Sequence, residues 1–450
     1  MKKVLSFFKL VWSKIVIFFK FIGKKLAVFF KFIWNKFKAF AKTDGGKTVL
    51  SSILSIVIGL FAGLIIMIFI SLFNKDISVG KAFKGLGILI SGPFASKNPR
   101  YVLNNTGDMI FYAVPLIMTG LSVAIAYKTG LFNIGAAGQF CMGTLGSLLV
   151  ALSIQSTNRV QGVFVWILAI LAGIACGALW GCIPGLLKAF FNINEVIICI
   201  MTNWIAANIT TWIFSNMDSL RSQETSKSAF LMKNVINYTP KLGLDKIFKG
   251  SYIDGGIIIA IIIAILIFII LNKTKLGYEL KACGSNKHAA KYAGLNEKRN
   301  IVLSMAIAGG LAGLGAALYY LNPGIEYNYA SQYASLPAYG FNGIASSFLA
   351  NCNPIGTVFT SLFIRYLNMG GEYLVKVGFN RYVADIIIAI IIFNAAFTLV
   401  IKGVLTKIMK KRGEKMQDIR FAPINTSHTK DASSDKEGVS EEKKGAVNNG

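Results

Sequence analysis

The sequence predicts an all-α, polytopic membrane protein with about ten transmembrane helices, some of them broken, and inverted internal repeats. Three observations predict this. Apolar stretches of about 20 residues with little or no charge recur along the chain, the length at which a helix satisfies its own backbone across a hydrocarbon core. Charged residues make up 15% of the 450 residues and hydrophobic residues 54%, whereas a soluble domain carries about 25% charge. Glycine and carboxamide residues interrupt or open several of the apolar stretches, which is where membrane helices break around a cavity.

Taken in order, residues 1–48 read as a basic amphipathic helix on the cytoplasmic membrane surface. Residues 1–47 hold twelve lysines and a single acid, Asp44. Lys9, Lys20, Lys24, Lys31, Lys38 and Lys42 fall within an arc of about 60° on a helical wheel, with Phe, Trp and Ile over much of the rest. A membrane anchor, a contact with a partner subunit and a dispensable extension all fit this pattern. Lysine interrupts its apolar runs, such as Ile15–Phe19 and Ala27–Phe30, too often for a signal peptide.

The membrane domain is placed at 49–405. Val49–Phe73, Met109–Tyr127, Leu131–Leu152, Val163–Leu187 and Glu195–Phe214 read as its first spans. Gly256–Leu271, Ile301–Leu321 and Ala384–Ile401 follow. Phe341–Asn368 is interrupted by Asn351, Asn353 and Pro354 and reads as two short spans, one ending near Ala350 and one starting near Ile355. Residues 74–108, 215–254 and 272–300 read as loops, and 406–450 as a polar, disordered cytoplasmic tail.

Charge sets the orientation. Residues 272–300 hold seven basic residues and two acids, and 402–420 hold the same numbers. With the N-terminal lysines these segments fall on one side for an even number of spans, which puts both termini in the cytoplasm. Loop 74–108 runs against the rule, with five basic residues and two acids. The net charge of +27 therefore points to anionic lipid headgroups, not nucleic acid, because the lysines flank apolar runs.

Several chemistries are excluded. Of the two histidines, His288 and His428, the second lies in the tail, so neither a Ser/His/Asp triad nor a histidine-rich metal site is expected. The cysteines form no CxxC pair. Residues 41–48 end in Gly46-Lys47-Thr48 but have Ala41 where a phosphate loop needs glycine, and no α/β domain follows.

Three segments are candidates for function. Gly130–Gln139 (GLFNIGAAGQ) breaks an apolar region with four glycines, and Asn133 and Gln139 offer neutral hydrogen-bonding groups to a pathway; glycine-mediated helix packing is the alternative. In Asn192–Asn203 the carboxylate of Glu195 and the carboxamide of Asn203, eight residues apart, share a helix face. They face a path, or Glu195 holds a neighbouring helix. Tyr339–Ser346 repeats the Phe-Asn-Gly theme, with Phe341-Asn342-Gly343 matching Phe132-Asn133 and its nearby glycines; with ten spans the two run in opposite directions, as in an inverted repeat. A fourth segment, Leu276–Asn300, predicts a short helix that Ser285 caps and Gly294 ends, with a small-residue face at Ala289, Ala290 and Ala293. Such a helix suits docking to another protein; an ordinary solvated loop is the alternative.

Together these segments resemble the permease subunits of bacterial ABC importers of the ribose and branched-chain amino-acid type, and most closely the nucleoside permeases associated with basic membrane lipoproteins. Gly130–Gln139 resembles the family's G-L-x-N-I-G-A-E-G-Q, with Ala137 in place of glutamate. Asn194–Ala206 resembles N-E-V-I…M-L-N-Y-I-A, with Thr202 and Trp204 differing, and Gly340–Ala345 resembles G-F-D-G-I-A, with Asn342 for aspartate. Gly277, Ala282, Gly284, Asn286, Ala289, Ala290, Ala293 and Gly294 match a cytoplasmic pattern of the family, with Leu295 for isoleucine. The resemblance covers residues 50–405.

It implies a permease subunit that is not itself an enzyme and binds no cofactor or metal. ATP and magnesium would sit on a separate ATPase chain, docked on the coupling helix formed by Gly284, Asn286, Ala289, Ala290, Ala293 and Gly294. The other implied partners are a second related permease, a substrate-binding lipoprotein and the lipids of the bacterial cytoplasmic membrane. For a nucleoside substrate, Phe132 and Phe341 would stack on the base while Asn133, Gln139, Asn203 and Asn342 hydrogen-bond it, with Glu195 on the same path. Simple sugars and branched-chain amino acids are the alternative substrates. An ion-coupled secondary transporter is the alternative class, with Glu195, Arg365 and Asp385 as its few ionisable candidates.

Overall fold

The computed structural model describes residues 35–36, 39–40, 43–74, 77–222, 227–229, 238–329 and 336–396, with 401, 403–404 and 406–407 beyond them. The basic N-terminal helix and the polar tail expected from the sequence lie almost wholly outside the described residues, as does the end of the last expected span.

Fourteen helices follow one another through the described part of the membrane domain, with 3-10 turns between some of them. The first six are α1 (Asp44–Phe73), α2 (Val79–Ser91), α3 (Pro99–Lys128), α4 (Ala136–Ser153), α5 (Arg159–Phe191) and α6 (Glu195–Asn216). The single turn α7 (Leu244–Ile247) precedes α8 (Gly256–Lys273), and the short pair α9 (Lys275–Ser285) and α10 (Lys287–Tyr292) leads into α11 (Glu297–Tyr320). The last three are α12 (Ala338–Leu349), α13 (Pro354–Glu372) and α14 (Tyr382–Ala396). No strand occurs among the described residues; Arg221 and Ser228 form an isolated bridge.

Asparagine starts most of the long helices. The side chains of Asn98, Asn158, Asn194, Asn296 and Asn353 each accept a backbone amide of the first turn, satisfying donors that have no partner within the helix. Pro99 and Pro354 follow two of these caps, where a missing amide costs nothing. Among the described residues, seven helices are long and apolar enough to cross a membrane: α1, α3, α4, α5, α6, α8 and α11. Of the remaining expected spans, α12 has 12 residues and α14 has 15, while α13 carries Arg365, Asn368 and Glu372 along its length.

Two elements differ from expectation. Residues 74–108 are not a loop: they contain α2 and the first turns of α3, which begins ten residues before the expected Met109. At 1.5 Å per residue a 30-residue helix is about 45 Å long, more than a bilayer core, so its polar first turns carry no hydropathy signal. The buried face of α2 is Ala82, Gly85 and Leu89, with Lys81 and Lys84 beside it, too narrow a stripe to read as membrane-embedded. The break inside 341–368 falls where expected, between Leu349 and Pro354.

The centre is built from α3, α4, α5 and α11. Gly173, Gly177 and Gly181 of α5 lie against Met305, Gly309 and Gly313 of α11, spaced by one helical turn, with backbones in contact. Outside this block, α1 leans on α14, with Gly59 and Gly63 under Ile391 and Ile387. Met67, Leu89, Ile364, Leu367 and Phe379 complete that second core.

Candidate functional site

The predicted break after α3 is present, and its construction explains its composition. The chain leaves the helix at Thr129, turns through Gly130 at φ 74°, a left-handed value that favours glycine, and re-enters helix at Ala136. Leaving a helix among buried residues frees backbone groups that must find partners. Asn203 of α6 supplies them: its Oδ1 accepts the Gly138 amide at 2.7 Å, and its Nδ2 donates to the Ile134 carbonyl at 3.0 Å.

Asn133 and Gln139 close on each other across the same break. Asn133 Nδ2 donates to Gln139 Oε1 at 2.8 Å, and Gln139 Nε2 donates back to Asn133 Oδ1 at 3.1 Å. Asn133 Nδ2 also reaches Ser122 Oγ of α3 at 3.0 Å. Both side chains are fully buried. In this conformation Asn133, Gln139 and Asn203, three of the four carboxamides expected to face a solute, face one another and the backbone.

The second glycine–asparagine segment packs on the first. The space a β-carbon would need at Gly340 is filled by Ala137, and at Gly343 by Thr119 of α3. Thr119 Oγ1 donates to the Tyr339 carbonyl at 2.9 Å. Phe341 is the most open residue of this segment, at 39% exposed, and Tyr339, Asn342 and Ile344 are partly buried. Phe132 lies beside Phe348, with ring centroids 5.8 Å apart. Glu195 pairs with Lys188 at 2.9 Å across the α5–α6 turn, where Asn192 is left-handed at φ 52°. This ion pair ties the start of α6 to the end of α5.

At the Asp108 end, aromatic side chains from four separate segments converge in a group that no local motif announces. Tyr112 and Phe111 of α3, Tyr319 of α11, Tyr339 of α12 and Tyr252 before α8 stand with neighbouring ring centroids 5.0 to 6.2 Å apart. Arg365 of α13 lays its guanidinium 4.9 Å from the Tyr112 ring centroid, a cation–π contact that strengthens away from water. The Arg365 Nε and the Asn368 Oδ1, one turn further along α13, are buried without a hydrogen-bond partner. Asp108 accepts the Tyr252 amide at 2.8 Å. The cluster combines aromatic faces, hydroxyls and one fixed cation.

At the Lys128 end sits the helix pair α9–α10. Its cap differs from expectation: Asn286 caps α10 by accepting the Ala289 amide at 3.0 Å, while Ser285 ends α9. Gly294, at φ 77°, ends the turn as expected. Two of the residues expected to dock a partner are occupied within the chain. Gly284 packs its backbone on Lys128, Thr129 and Gly130, and Ala290 is 4% exposed, because α10 is too short to stand free of the body and turns one side inward. Asn286, Ala289, Ala293 and Gly294 are exposed, and so is Tyr292, at 94%. Among the described residues, no group of three or more His, Cys, Asp or Glu is placed to hold a metal ion.

Seven apolar helices of spanning length among the described residues, a broken helix at the centre and a helix pair between two of the seven make this a multi-pass membrane protein. Residues 105–396 match the family described as branched-chain amino acid transport system / permease component, and the chain belongs to that family. It is 34% identical over 364 residues to the guanosine ABC transporter permease protein NupP of Bacillus subtilis (strain 168), covering 81% of this chain and 97% of that protein. The nucleoside ABC transporter permease protein NupB of Lactococcus lactis subsp. cremoris (strain MG1363) is 35% identical over 326 residues, 69% of this chain and 86% of that protein. A second guanosine ABC transporter permease protein of the same Bacillus, NupQ, is 26% identical over 261 residues, 57% of this chain and 78% of that protein. No solved structure matches the chain. The family places the chain among transport components rather than enzymes.

Proposed function

We propose that this chain is one permease subunit of an ATP-driven nucleoside importer in the bacterial cytoplasmic membrane. The observation that carries the reading is the contact between Gly284 and Gly130. It joins the turn that exposes Ala289, Tyr292 and Ala293 to the broken helix through backbone alone, so a push on α10 reaches the break without passing through flexible side chains. ATP and magnesium belong to a separate ATPase docked on Asn286, Ala289, Tyr292 and Ala293. A second, related permease faces this one, as the pair NupP and NupQ in one organism supports. A substrate-binding lipoprotein delivers the solute from outside.

Nucleoside as the substrate class rests on the names of NupP and NupB and on the aromatic cluster around Arg365. The base stacks on Tyr112 and Tyr319, and the unpartnered Arg365 Nε donates to it. Phe132, Phe341 and Asn342 line the path further in. Asn133, Gln139 and Asn203 act on it by holding or releasing the break. Both termini are cytoplasmic. α12, α13 and α14 bring the crossings to ten, with α12 as a half-length helix. The mutual packing of Gly130–Gln139 and Tyr339–Ser346 supports an inverted repeat.

Uptake of radiolabelled guanosine into vesicles carrying the assembled transporter tests this reading. ATP-dependent, vanadate-sensitive uptake, competed by other nucleosides and not by glucose or leucine, is expected. Uptake by this chain alone, driven by an ion gradient, overturns it.

A further inference from the structure

A cavity of about 870 Å³ opens between α1, α8 and α13, near the Lys128 end. Ile53 and Ile56 of α1, Phe268 of α8, and Phe359 and Phe363 of α13 form its walls. Lys128, Lys281 and Asn272 also line it, and no acidic residue does so among the described residues. Lys281 Nζ donates to Asn272 Oδ1 at 3.4 Å, and neither lysine forms an ion pair among the described residues.

We propose that this groove binds one anionic phospholipid of the leaflet on the Lys128 side, its phosphate on Lys128 and Lys281 and an acyl chain between α1, α8 and α13. The leaflet is the cytoplasmic one if the orientation proposed above holds; the binding itself does not depend on that orientation.

Charge and surroundings together select the occupant. The walls belong largely to helices that read as membrane spans, so the void opens to hydrocarbon, and an apolar cavity does not fill with water. Two cations, Lys128 and Lys281, line a slot whose other walls are mostly apolar. A diacyl phospholipid with a net negative headgroup matches both, and basic pockets between membrane helices take such headgroups. Phe40 and Gly45 of the N-terminal segment also line the slot, but residues 1–47 carry twelve lysines against one acid and offer no net negative charge to Lys128 and Lys281. A bound phosphate would also have a mechanical consequence. Lys128 is the last residue of α3 before the break, and Lys281 lies three residues before Gly284. The lipid would tie together the two elements that meet at Gly130 and Gly284.

The test is native mass spectrometry of the full chain released from nanodiscs of mixed phosphatidylglycerol and phosphatidylcholine, with thermal unfolding of every variant as a check on folding. The wild type is expected to retain one phosphatidylglycerol and to discriminate against phosphatidylcholine. K128Q/K281Q should hold it about thirtyfold more weakly, at about a factor of five per lysine, and K128R/K281R should hold it as the wild type does. I53W fills the slot but keeps both lysines, and should also lose the lipid. A photo-crosslinker at Ile53 should capture a mass equal to that of the lipid. Equal retention of both lipids by the wild type overturns the proposal. So does retention unchanged in folded K128Q/K281Q and I53W, or a polypeptide adduct at position 53.

Discussion

Gly177 on α5 and Gly309 on α11 meet backbone to backbone: a β-carbon on either would strike the carbonyl oxygen of the other. Gly173 and Gly313 repeat the contact one turn along. In lipid, helices gain little from hiding apolar surface, so close backbone approach and weak Cα–H···O contacts take over.

The first prediction sets two adjacent glycines against each other. Gly309→Ala forces α5 and α11 apart and should cost about 1–3 kcal/mol, the usual penalty of overpacking. Gly310→Ala has room, its β-carbon meeting nothing nearer than 3.4 Å at Ile174 Cγ2. It should be neutral or stabilise by up to about 1 kcal/mol through helix propensity. Thermal unfolding in detergent reads the difference, and equal effects would mean that the helices are not in backbone contact.

The carboxamide clasp gives a second prediction. Asn133→Ala and Gln139→Ala each strand the partner's amide in a buried site, at about 1–3 kcal/mol. The double variant should cost less than the sum of the singles by about 0.5–2 kcal/mol, the signature of residues in direct contact. Additive losses in stability, with uptake lost separately in each single variant, would instead make the two side chains independent contacts to the solute.

Arg365 is the third. Arg365→Lys keeps the charge but loses the planar donor that lies over Tyr112 and so should not substitute for arginine. Initial uptake should fall at least about tenfold, the factor that corresponds to roughly 1.4 kcal/mol. Co-purification with the partner subunits should be unchanged. Wild-type uptake in Arg365→Lys would remove the guanidinium from the path.

The fourth separates docking from folding on one short helix. Ala289 is exposed, whereas Ala290 is buried against the chain's own body. Ala289→Trp should leave unfolding unchanged while uncoupling ATP hydrolysis from uptake. Ala290→Trp should lower the unfolding temperature even of the isolated chain. If Ala289→Trp leaves transport fully coupled, the ATPase docks elsewhere.

What the sequence makes legible here follows from periodicity and charge. Val49–Phe73 and Gly256–Leu271 are uncharged runs of spanning length, so their helices were predictable, and Pro354 after Asn353 announced the break before α13. Neighbours in space but not in sequence stayed hidden. Tyr112, Tyr252, Tyr319, Tyr339 and Arg365 come from five elements, and a lone tyrosine in an apolar run looks like core. Asn133 and Gln139 were visible as polar residues at a break, but their pairing depends on the turn through Gly130. The inward face of α10 was ambiguous because Ala289, Ala290 and Ala293 are equally small. α2 was missed because its buried stripe is only three residues long and is flanked by Lys81 and Lys84.

The last prediction concerns pH and uses a carboxyl outside the spans. Asp254 lies in the turn before α8 and is 2% exposed; it accepts the Gly256 amide at 2.8 Å and Asn322 Nδ2 at 2.9 Å. Burial pushes its carboxyl up to about 6 from an ordinary value of 3.8, against these two hydrogen bonds and the nearby Lys241, which favour the ionised form. Since the folded value lies above the unfolded one, folding favours the protonated acid. The stability this provides is complete below about pH 4 and is lost as pH rises through 6. A shift of about two units corresponds to about 3 kcal/mol. Between pH 4 and pH 7 the wild type should therefore lose about 3 kcal/mol more than Asp254→Asn, which has no proton to release. The comparison cancels the titration of every other carboxylate, because both proteins share them. Chemical unfolding of the two at matched pH values reads the difference in slope directly, and parallel curves would put the Asp254 carboxyl back at its ordinary value, with water reaching the turn.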